Sequence, residues 1–203
     1  MDLAHEVKSC SSMRLFVALD IDPDIRERIT AFRDQLRRLA PGVRWVGPET
    51  YHVTLQFLGE TKKLAEIRDA LGKVNSSPVT LSFHGAGFFP TPKSPRVFWI
   101  GIEGDEHLQT LAHSLARALQ PLEFERDHDL FTPHLTLARV GSGRPHPVRG
   151  ERAAPSLQRV REQLEKSPPP DFGTMTAHEF SLYESYLSPA GARYEKRASF
   201  PLC

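Results

Sequence analysis

Hydrophobic and polar residues alternate along the chain with two different periods, which predict strands and helices in turn. Apolar residues occupy almost every position from Arg14 to Leu19, as in a buried strand. Asp22-Pro23 then begins an amphipathic helix that ends at Pro41-Gly42. The apolar residues of this helix recur at intervals of three and four: Ile25, Ile29, Phe32, Leu36 and Leu39.

The same succession of elements returns in the second part of the chain. The first part continues with a strand from Tyr51 to Gly59, a helix on Leu64 to Val74 and a strand on Val79 to Phe83. Residues 85–95 are rich in glycine, proline and aromatic residues, and we expect them to join two lobes. Beyond them the pattern predicts a strand at 96–102, a helix capped by Asp105, a strand at 130–140, an exposed loop at 141–154, a short helix at 157–164, and a final antiparallel pair at 176–186 and 193–200.

Two strands carry the same short motif, His52-Val53-Thr54-Leu55 and His134-Leu135-Thr136-Leu137. Side chains at i and i+2 of a strand share a face, so each histidine stands beside its threonine while the aliphatic residues turn toward a core. For either strand alone, the polar face of an ordinary amphipathic strand is the simpler explanation. The spacing between the two motifs instead favours a functional explanation for these residues.

The motifs lie 82 residues apart, and so do the apolar strands that begin at Arg14 and Arg96. We therefore expect a duplicated α+β domain over residues 13–203, with halves at roughly 13–87 and 96–202, largely antiparallel strands, and helices on one face of each sheet. If a pseudo-twofold axis relates the halves, the two motif strands meet at the seam. Both histidines and both threonines then face one cleft.

Two imidazoles in one cleft can act as a general acid and a general base near neutral pH without a metal ion. Threonine hydroxyls beside them can donate hydrogen bonds to phosphoryl oxygens. The site would suit cleavage of a phosphodiester, above all a strained cyclic one. Arg139 lies five residues after His134. Strict alternation places it on the opposite face, as a solvated surface residue, unless a bulge or the strand end turns it toward the phosphate.

The composition of the chain limits the classes of binding partner and the cellular compartment that we expect. The net charge is +1, which argues against a protein that coats long nucleic acids. Cys10 and Cys203 form no disulfide framework and no metal-binding pattern, so we expect a reduced, cytoplasmic setting. Residues 1–12 lack the apolar run of a signal peptide and are expected to form a flexible tail, and no segment is long and apolar enough to span a membrane. We expect a monomer that needs no cofactor.

The sequence resembles the two-histidine phosphoesterases, and within them the LigT-like bacterial and archaeal RNA 2′,3′-cyclic phosphodiesterases once named 2′-5′ RNA ligases. The resemblance covers Met13 to Leu202. Besides the first motif with its trailing Phe57-Leu58-Gly59-Glu60, it includes Arg14-Leu15-Phe16-Val17-Ala18, Trp45-Val46, Phe131-Thr132-Pro133-His134-Leu135-Thr136-Leu137-Ala138-Arg139, Leu182-Tyr183-Glu184-Ser185 and Gly191-Ala192-Arg193-Tyr194.

This resemblance implies a bilobal α+β fold with two largely antiparallel sheets flanking a central cleft and helices on the outer faces. It implies hydrolysis of RNA 2′,3′-cyclic phosphate ends to 2′-phosphomonoesters without an obligatory metal. It also implies His52 as proton donor to the leaving oxygen and His134 as acceptor from water, with Thr54, Thr136 and Arg139 at the phosphate. The residues alone do not order the two histidine roles.

Two other functions remain open at this point. Ligation of a cyclic phosphate to a 5′-hydroxyl is the same chemistry in reverse, with an alcohol in place of water. A non-catalytic module that binds nucleotides or RNA ends would keep the cleft, but it has no need for paired proton-transfer groups.

Overall fold

The computed structural model describes residues 12–124, 132–140, 154–188 and 191–203. These residues form nine strands and four α-helices. The strands are β1 (Met13–Asp20), β2 (Arg44–Trp45), β3 (His52–Thr61), β4 (Val79–Thr91), β5 (Ser94–Gly104), β6 (His134–Arg139), β7 (Asp171–Ala177), β8 (Glu179–Ser188) and β9 (Gly191–Pro201). The helices are α1 (Pro23–Arg37), α2 (Leu64–Leu71), α3 (Glu106–Leu119) and α4 (Ala154–Glu165). The expected N-terminal tail, the loop after Gly141 and the turn at 189–190 lie outside the described residues.

The strands form two antiparallel sheets. The first sheet has the order β3-β1-β8-β9 and the second β2-β6-β5-β4-β7. Each sheet therefore combines strands from both parts of the chain. This arrangement confirms the predicted α+β class with two largely antiparallel sheets. Of the described helices, none has the length and apolar character needed to cross a membrane.

The segment expected to join two lobes is instead a hairpin inside the second sheet. Strands β4 and β5 pair, with two irregularities, as far as Thr91 opposite Ser94, so the turn contains only Pro92 and Lys93. The glycines and aromatics that suggested a connection serve the hairpin itself: Gly85, at a φ of 67°, lies in a bulge of β4, and Phe89 pairs with Val97. The chain crosses between the sheets at other points, for example at His178, between β7 and β8.

One predicted boundary and one predicted cap also differ from the structure, for local reasons. Gly59 does not end β3, which continues to Thr61. The glycine has a φ of 69° and lies at a bulge where Leu15 pairs with Gly59 but the next residue pairs with Phe57. Asp22 precedes α1 as predicted, yet its side chain makes no capping hydrogen bond, whereas the Asp105 carboxylate accepts one from the His107 N–H at 3.1 Å.

One continuous core underlies both sheets. The aliphatic residues of the motif strands, Val53, Leu55, Leu135 and Leu137, are buried in it together with the apolar stripes of the helices. Burying these residues fixes which way the alternate positions point. The histidines and threonines therefore face away from the core.

Phe98 of β5 is fully buried at the centre of this core, so we expect its truncation to be costly. Phe98→Ala should lower the free energy of unfolding by about 3–5 kcal/mol, because it removes apolar contact and leaves a cavity. Chemical denaturation measures the change. Phe57→Ala is the matched control, since Phe57 is 64% exposed and its loss should change stability by no more than about 0.5 kcal/mol. Equal losses in the two variants would contradict the burial assigned here.

Candidate active site

The fold brings the two motif strands together. β3 lies at the edge of the first sheet, and it contacts β6 of the second. The imidazole of His134 is close enough to influence the pKa of His52. Both histidines are half-buried, as are Thr54 and Thr136. The structure thus brings the two histidines together where the two sheets meet, a region that we call the cleft, with each threonine two residues beyond its histidine on the same strand.

Each imidazole is held in the same way by the backbone two residues before it. Nδ1 of His52 lies 2.7 Å from the Thr50 carbonyl oxygen, and Nδ1 of His134 lies 2.9 Å from that of Thr132. A carbonyl oxygen can only accept, so Nδ1 carries the proton in both rings. Nε2 of each ring is therefore the nitrogen that can take up or release a proton during a reaction.

Aromatic side chains surround each histidine. The ring of His52 lies 4.8 Å from Phe16 and 5.0 Å from Tyr194, measured between centroids. The ring of His134 lies 5.2 Å from Phe89 and 6.3 Å from Trp99. Trp99 and Phe89 are half-buried, and their rings stack on each other beside His134. The aromatic rings restrict the orientation of both imidazoles.

The surroundings of His52 act on its pKa in opposite directions. Burial lowers the pKa of His52 below its ordinary value, and the nearby charges of Arg139 and His134 add to this. The Thr50 carbonyl and the Asp20 carboxylate act in the other direction and favour the protonated ring. The protonation of this histidine therefore depends on a small number of neighbours.

A bulge in β6 turns Arg139 toward the cleft. Thr136 pairs with Trp99 and Ala138 with Phe98, so Leu137 is an extra residue that breaks the alternation. The guanidinium of Arg139 donates a hydrogen bond to the Thr136 hydroxyl at 3.3 Å. The position given by strict alternation was thus wrong, and the bulge considered as the exception is present. The charge of Arg139 also acts on Tyr194 across the cleft.

Several polar residues beside His52 were not found from the sequence. Asp20, at the end of β1, pairs directly with His52. Tyr183 of β8 and Lys196 of β9 both donate hydrogen bonds to its carboxylate, Lys196 at 2.6 Å. These three residues, His52 and Tyr194 line a cavity of about 380 Å³. The alternation of Phe16, Ala18 and Asp20 was a usable signal, but the sequence does not show which strands become neighbours.

The comparison with protein families agrees with this geometry. A family model described as LigT like Phosphoesterase matches the chain twice, over residues 19–99 and 100–194. The chain belongs to the LigT-like phosphoesterase family. Each match contains one of the two motifs. The predicted family and the prediction of a phosphoesterase enzyme are confirmed.

The alignments with similar proteins cover nearly the whole length of this LigT-like chain. A protein of Archaeoglobus fulgidus is 40% identical over 185 residues, which span 90% of this chain and 97% of that protein. One of Methanothermobacter thermautotrophicus is 32% identical over 94% of this chain and 99% of its own length. Both are named RNA 2′,3′-cyclic phosphodiesterase.

Solved structures confirm the fold. The crystal structure of TT0787 from Thermus thermophilus superposes with a TM-score of 0.74 at 26% identity, over 94% of this chain and 98% of that one. E. coli LigT complexed with 3′-AMP superposes with a TM-score of 0.71 at 27% identity, with the same coverage of both chains.

Proposed function

We propose that this LigT-like phosphoesterase hydrolyses RNA 2′,3′-cyclic phosphate ends to 2′-phosphomonoesters by acid–base catalysis that needs no metal ion. The observation that carries the proposal is the equivalent placement of His52 and His134. Each is tied through Nδ1 to a backbone carbonyl, and each keeps Nε2 for proton transfer within the same cleft. Relatives named RNA 2′,3′-cyclic phosphodiesterase support the choice of substrate.

In the proposed reaction, the two histidines work on opposite sides of the phosphorus atom. Nε2 of His134 removes a proton from water as the water oxygen bonds to phosphorus. The bond between phosphorus and the ribose 3′-oxygen breaks, and Nε2 of protonated His52 gives its proton to that oxygen. One proton is taken up and one is released, so the enzyme ends with the two protonation states exchanged. Transfer through solvent restores the starting state.

The remaining motif residues bind the phosphoryl group in this proposal. The hydroxyls of Thr54 and Thr136 donate hydrogen bonds to its non-bridging oxygens. Arg139, already bonded to the Thr136 hydroxyl at 3.3 Å, places a positive charge where negative charge accumulates during attack. Groups fixed in position before substrate arrives need little rearrangement in the transition state, which is how such a site accelerates the reaction.

The decisive experiment follows the product of a defined substrate. The purified protein is incubated with an oligoribonucleotide that ends in a 2′,3′-cyclic phosphate, in the presence of a chelator. We expect complete conversion to a 2′-phosphate, identified by phosphorus NMR. A 3′-phosphate product, or activity that disappears with the chelator and returns with added metal, would contradict the proposal.

A parallel reaction with an added 5′-hydroxyl oligonucleotide tests the balance between hydrolysis and ligation. Water at its bulk concentration should outcompete the acceptor, so joined product should remain a minor species. A mainly joined product would assign the ligase activity instead. Tight binding of the cyclic end without any product would assign a binding module.

A further inference from the structure

The two histidines have equivalent backbone positions but different neighbours. Asp20 is the residue directly opposite His52 in the antiparallel pair of β1 and β3. Gly101 is the residue directly opposite His134 in the pair of β5 and β6. Side chains at such paired positions lie on the same face, with Cβ atoms about 4.5–5.5 Å apart. One imidazole therefore has a carboxylate beside it, and the other has none at the equivalent position.

The backbone of the second sheet enforces this difference. A Cβ atom built on Gly101 would lie 2.6 Å from the carbonyl oxygen of His84, which is closer than real Cβ atoms approach a backbone oxygen. His84 lies in the β4 bulge, where the pairing skips from Phe83 to Ala86. A carboxylate opposite His134 would thus require the bulge to move. The difference between the surroundings of the two histidines therefore arises from the backbone as well as from the identity of the residue opposite each ring.

Asp20 is held in place by groups outside the motifs. One carboxylate oxygen accepts a hydrogen bond from the Tyr183 hydroxyl, and the other accepts one from Lys196 at 2.6 Å. Burial and the Asp20 carboxylate both raise the pKa of Tyr183, so the phenol stays protonated and continues to donate. Lys196 also donates to Glu179 at 3.2 Å. Its single charge is therefore shared between two carboxylates and leaves a net negative charge beside His52.

We propose that Asp20 is the positioning residue that assigns the proton-donor role to His52. The donor must be protonated before the leaving oxygen departs, and a carboxylate in direct register with the ring stabilises that charged form. Asp20 thereby offsets part of the burial that lowers the pKa of His52, whereas His134, opposite Gly101, has no carboxylate at the equivalent position. The inference rests on the proposed function, because it concerns which histidine performs which step of that reaction.

The other charged groups around His52 do not replace Asp20. His134 and Arg139 approach from β6, and both lower the pKa of His52, as does its burial. Lys196 of β9 is itself cationic. Tyr194 of β9 contacts the ring edge-on, and burial raises the pKa of its phenol, so it is neutral near pH 7. The cavity beside the ring also contains Arg26 and Glu49, but of the two carboxylates that line it, Asp20 is the one in direct register with His52.

The test is the pH dependence of turnover in Asp20→Asn. Loss of the carboxylate lowers the pKa of His52. The fraction of enzyme with a protonated His52 then falls at high pH, whereas at low pH the ring remains protonated. We expect kcat/KM to fall about tenfold relative to wild type near about pH 8.5 and less than about twofold near about pH 5. A loss that is equal at all pH values would indicate a merely structural role and overturn the proposal. A gain at low pH without loss at high pH would make His52 the base and overturn it too.

Lys196→Met provides a test with the opposite sign. Removing the cation leaves the Asp20 charge less compensated, so the pKa of His52 should rise and kcat/KM relative to wild type should increase with pH. Glu179→Gln is the matched control: it removes a carboxylate that binds the same lysine but does not pair with His52. Because Lys196 then compensates the Asp20 charge more fully, its pH profile should shift in the same direction as that of Asp20→Asn but by much less. A shift as large as that of Asp20→Asn would contradict the specific role of Asp20.

NMR titration of the imidazoles separates this inference from the proposed function, because it needs no turnover. In the free enzyme, Asp20→Asn should lower the pKa measured for His52 and leave that of His134 nearly unchanged. If both rings shift alike, or neither shifts, the inference fails even though hydrolysis is observed. If the substrate is not turned over but His52 alone shifts, the proposed function fails and the electrostatic pairing stands.

Discussion

Replacing either His52 or His134 by alanine should lower kcat on a 2′,3′-cyclic phosphate substrate by about 10³-fold, since each variant removes one of two proton-transfer steps worth about 10²–10⁴-fold apiece. KM should change little, because the threonines and Arg139 that we assign to phosphate binding remain. Single-turnover kinetics on the wild type and both variants measure the effect. The double variant should be only slightly slower than either single one, because residues that act as a unit lose their contribution together.

His113→Ala is the control for these variants. His113 is exposed on α3, where Nδ1 lies 2.8 Å from the Gln109 carbonyl oxygen, and it lies outside the cleft. Its replacement should leave kcat and KM unchanged. Turnover at the wild-type rate in His52→Ala or His134→Ala, with an unaltered thermal unfolding temperature, would remove the basis for acid–base catalysis by the pair.

The sequence predicted most of the elements of this fold because periodicity reports burial. The intervals of α1 and the alternation of β3 and β6 depend only on which face of an element meets the core. Pairing between distant strands left no comparable signal. The hydrophobic pattern of β8 is satisfied equally by any neighbour, and nothing in it specifies that β8 pairs with β1 rather than with β7, which directly precedes it. The predicted lobe junction failed for a different reason: its glycines, prolines and aromatic residues suggested a connection, but they lie within the hairpin of β4 and β5.

The residues of the candidate site also differ in whether local sequence patterns could predict them. His52, Thr54, His134 and Thr136 could be found because each pair is local and the two pairs repeat. Asp20, Tyr183 and Lys196 could not, since they lie on three strands that become neighbours only in the folded sheet. Phe57 is the position in the first half that the 82-residue repeat relates to Arg139 in the second. It stands 82 residues before Arg139, and the β3 bulge at Leu55 leaves its ring 64% exposed and 6.3 Å from Phe16.

The bulge at Leu137 is the local feature that connects fold and chemistry at Arg139. A regular strand would place His134 and Arg139 on opposite faces, because five positions separate them. One extra residue in β6 reverses the face and brings the guanidinium within hydrogen-bonding distance of the Thr136 hydroxyl. The arginine thus reaches the cleft without an additional loop. Its role in phosphate binding depends on this single irregularity of the backbone.

Arg139→Ala should therefore lower kcat/KM by about 10²-fold, the order expected when one donor to a developing negative charge is lost. Arg139→Lys should recover only part of the rate, because an ammonium keeps the charge but lacks the planar pair of donors that matches phosphate. Arg117→Ala, on the exposed face of α3, removes the same charge far from the cleft and should have no effect. Steady-state kinetics on the cyclic-phosphate oligonucleotide compares all three.

The pH dependence of the Arg139→Ala variant distinguishes lost phosphate binding from a damaged proton donor. Arg139 lowers the pKa of His52, so its removal raises that pKa and makes the protonated donor more abundant at high pH. The deficit of Arg139→Ala should thus be smaller near about pH 8.5 than near about pH 6, the reverse of the trend expected for Asp20→Asn. A deficit that grows with pH would show that the arginine supports the protonation of His52 rather than the phosphate. Opposite trends in the two variants would place a cation and a carboxylate on either side of the same imidazole, each acting through its charge.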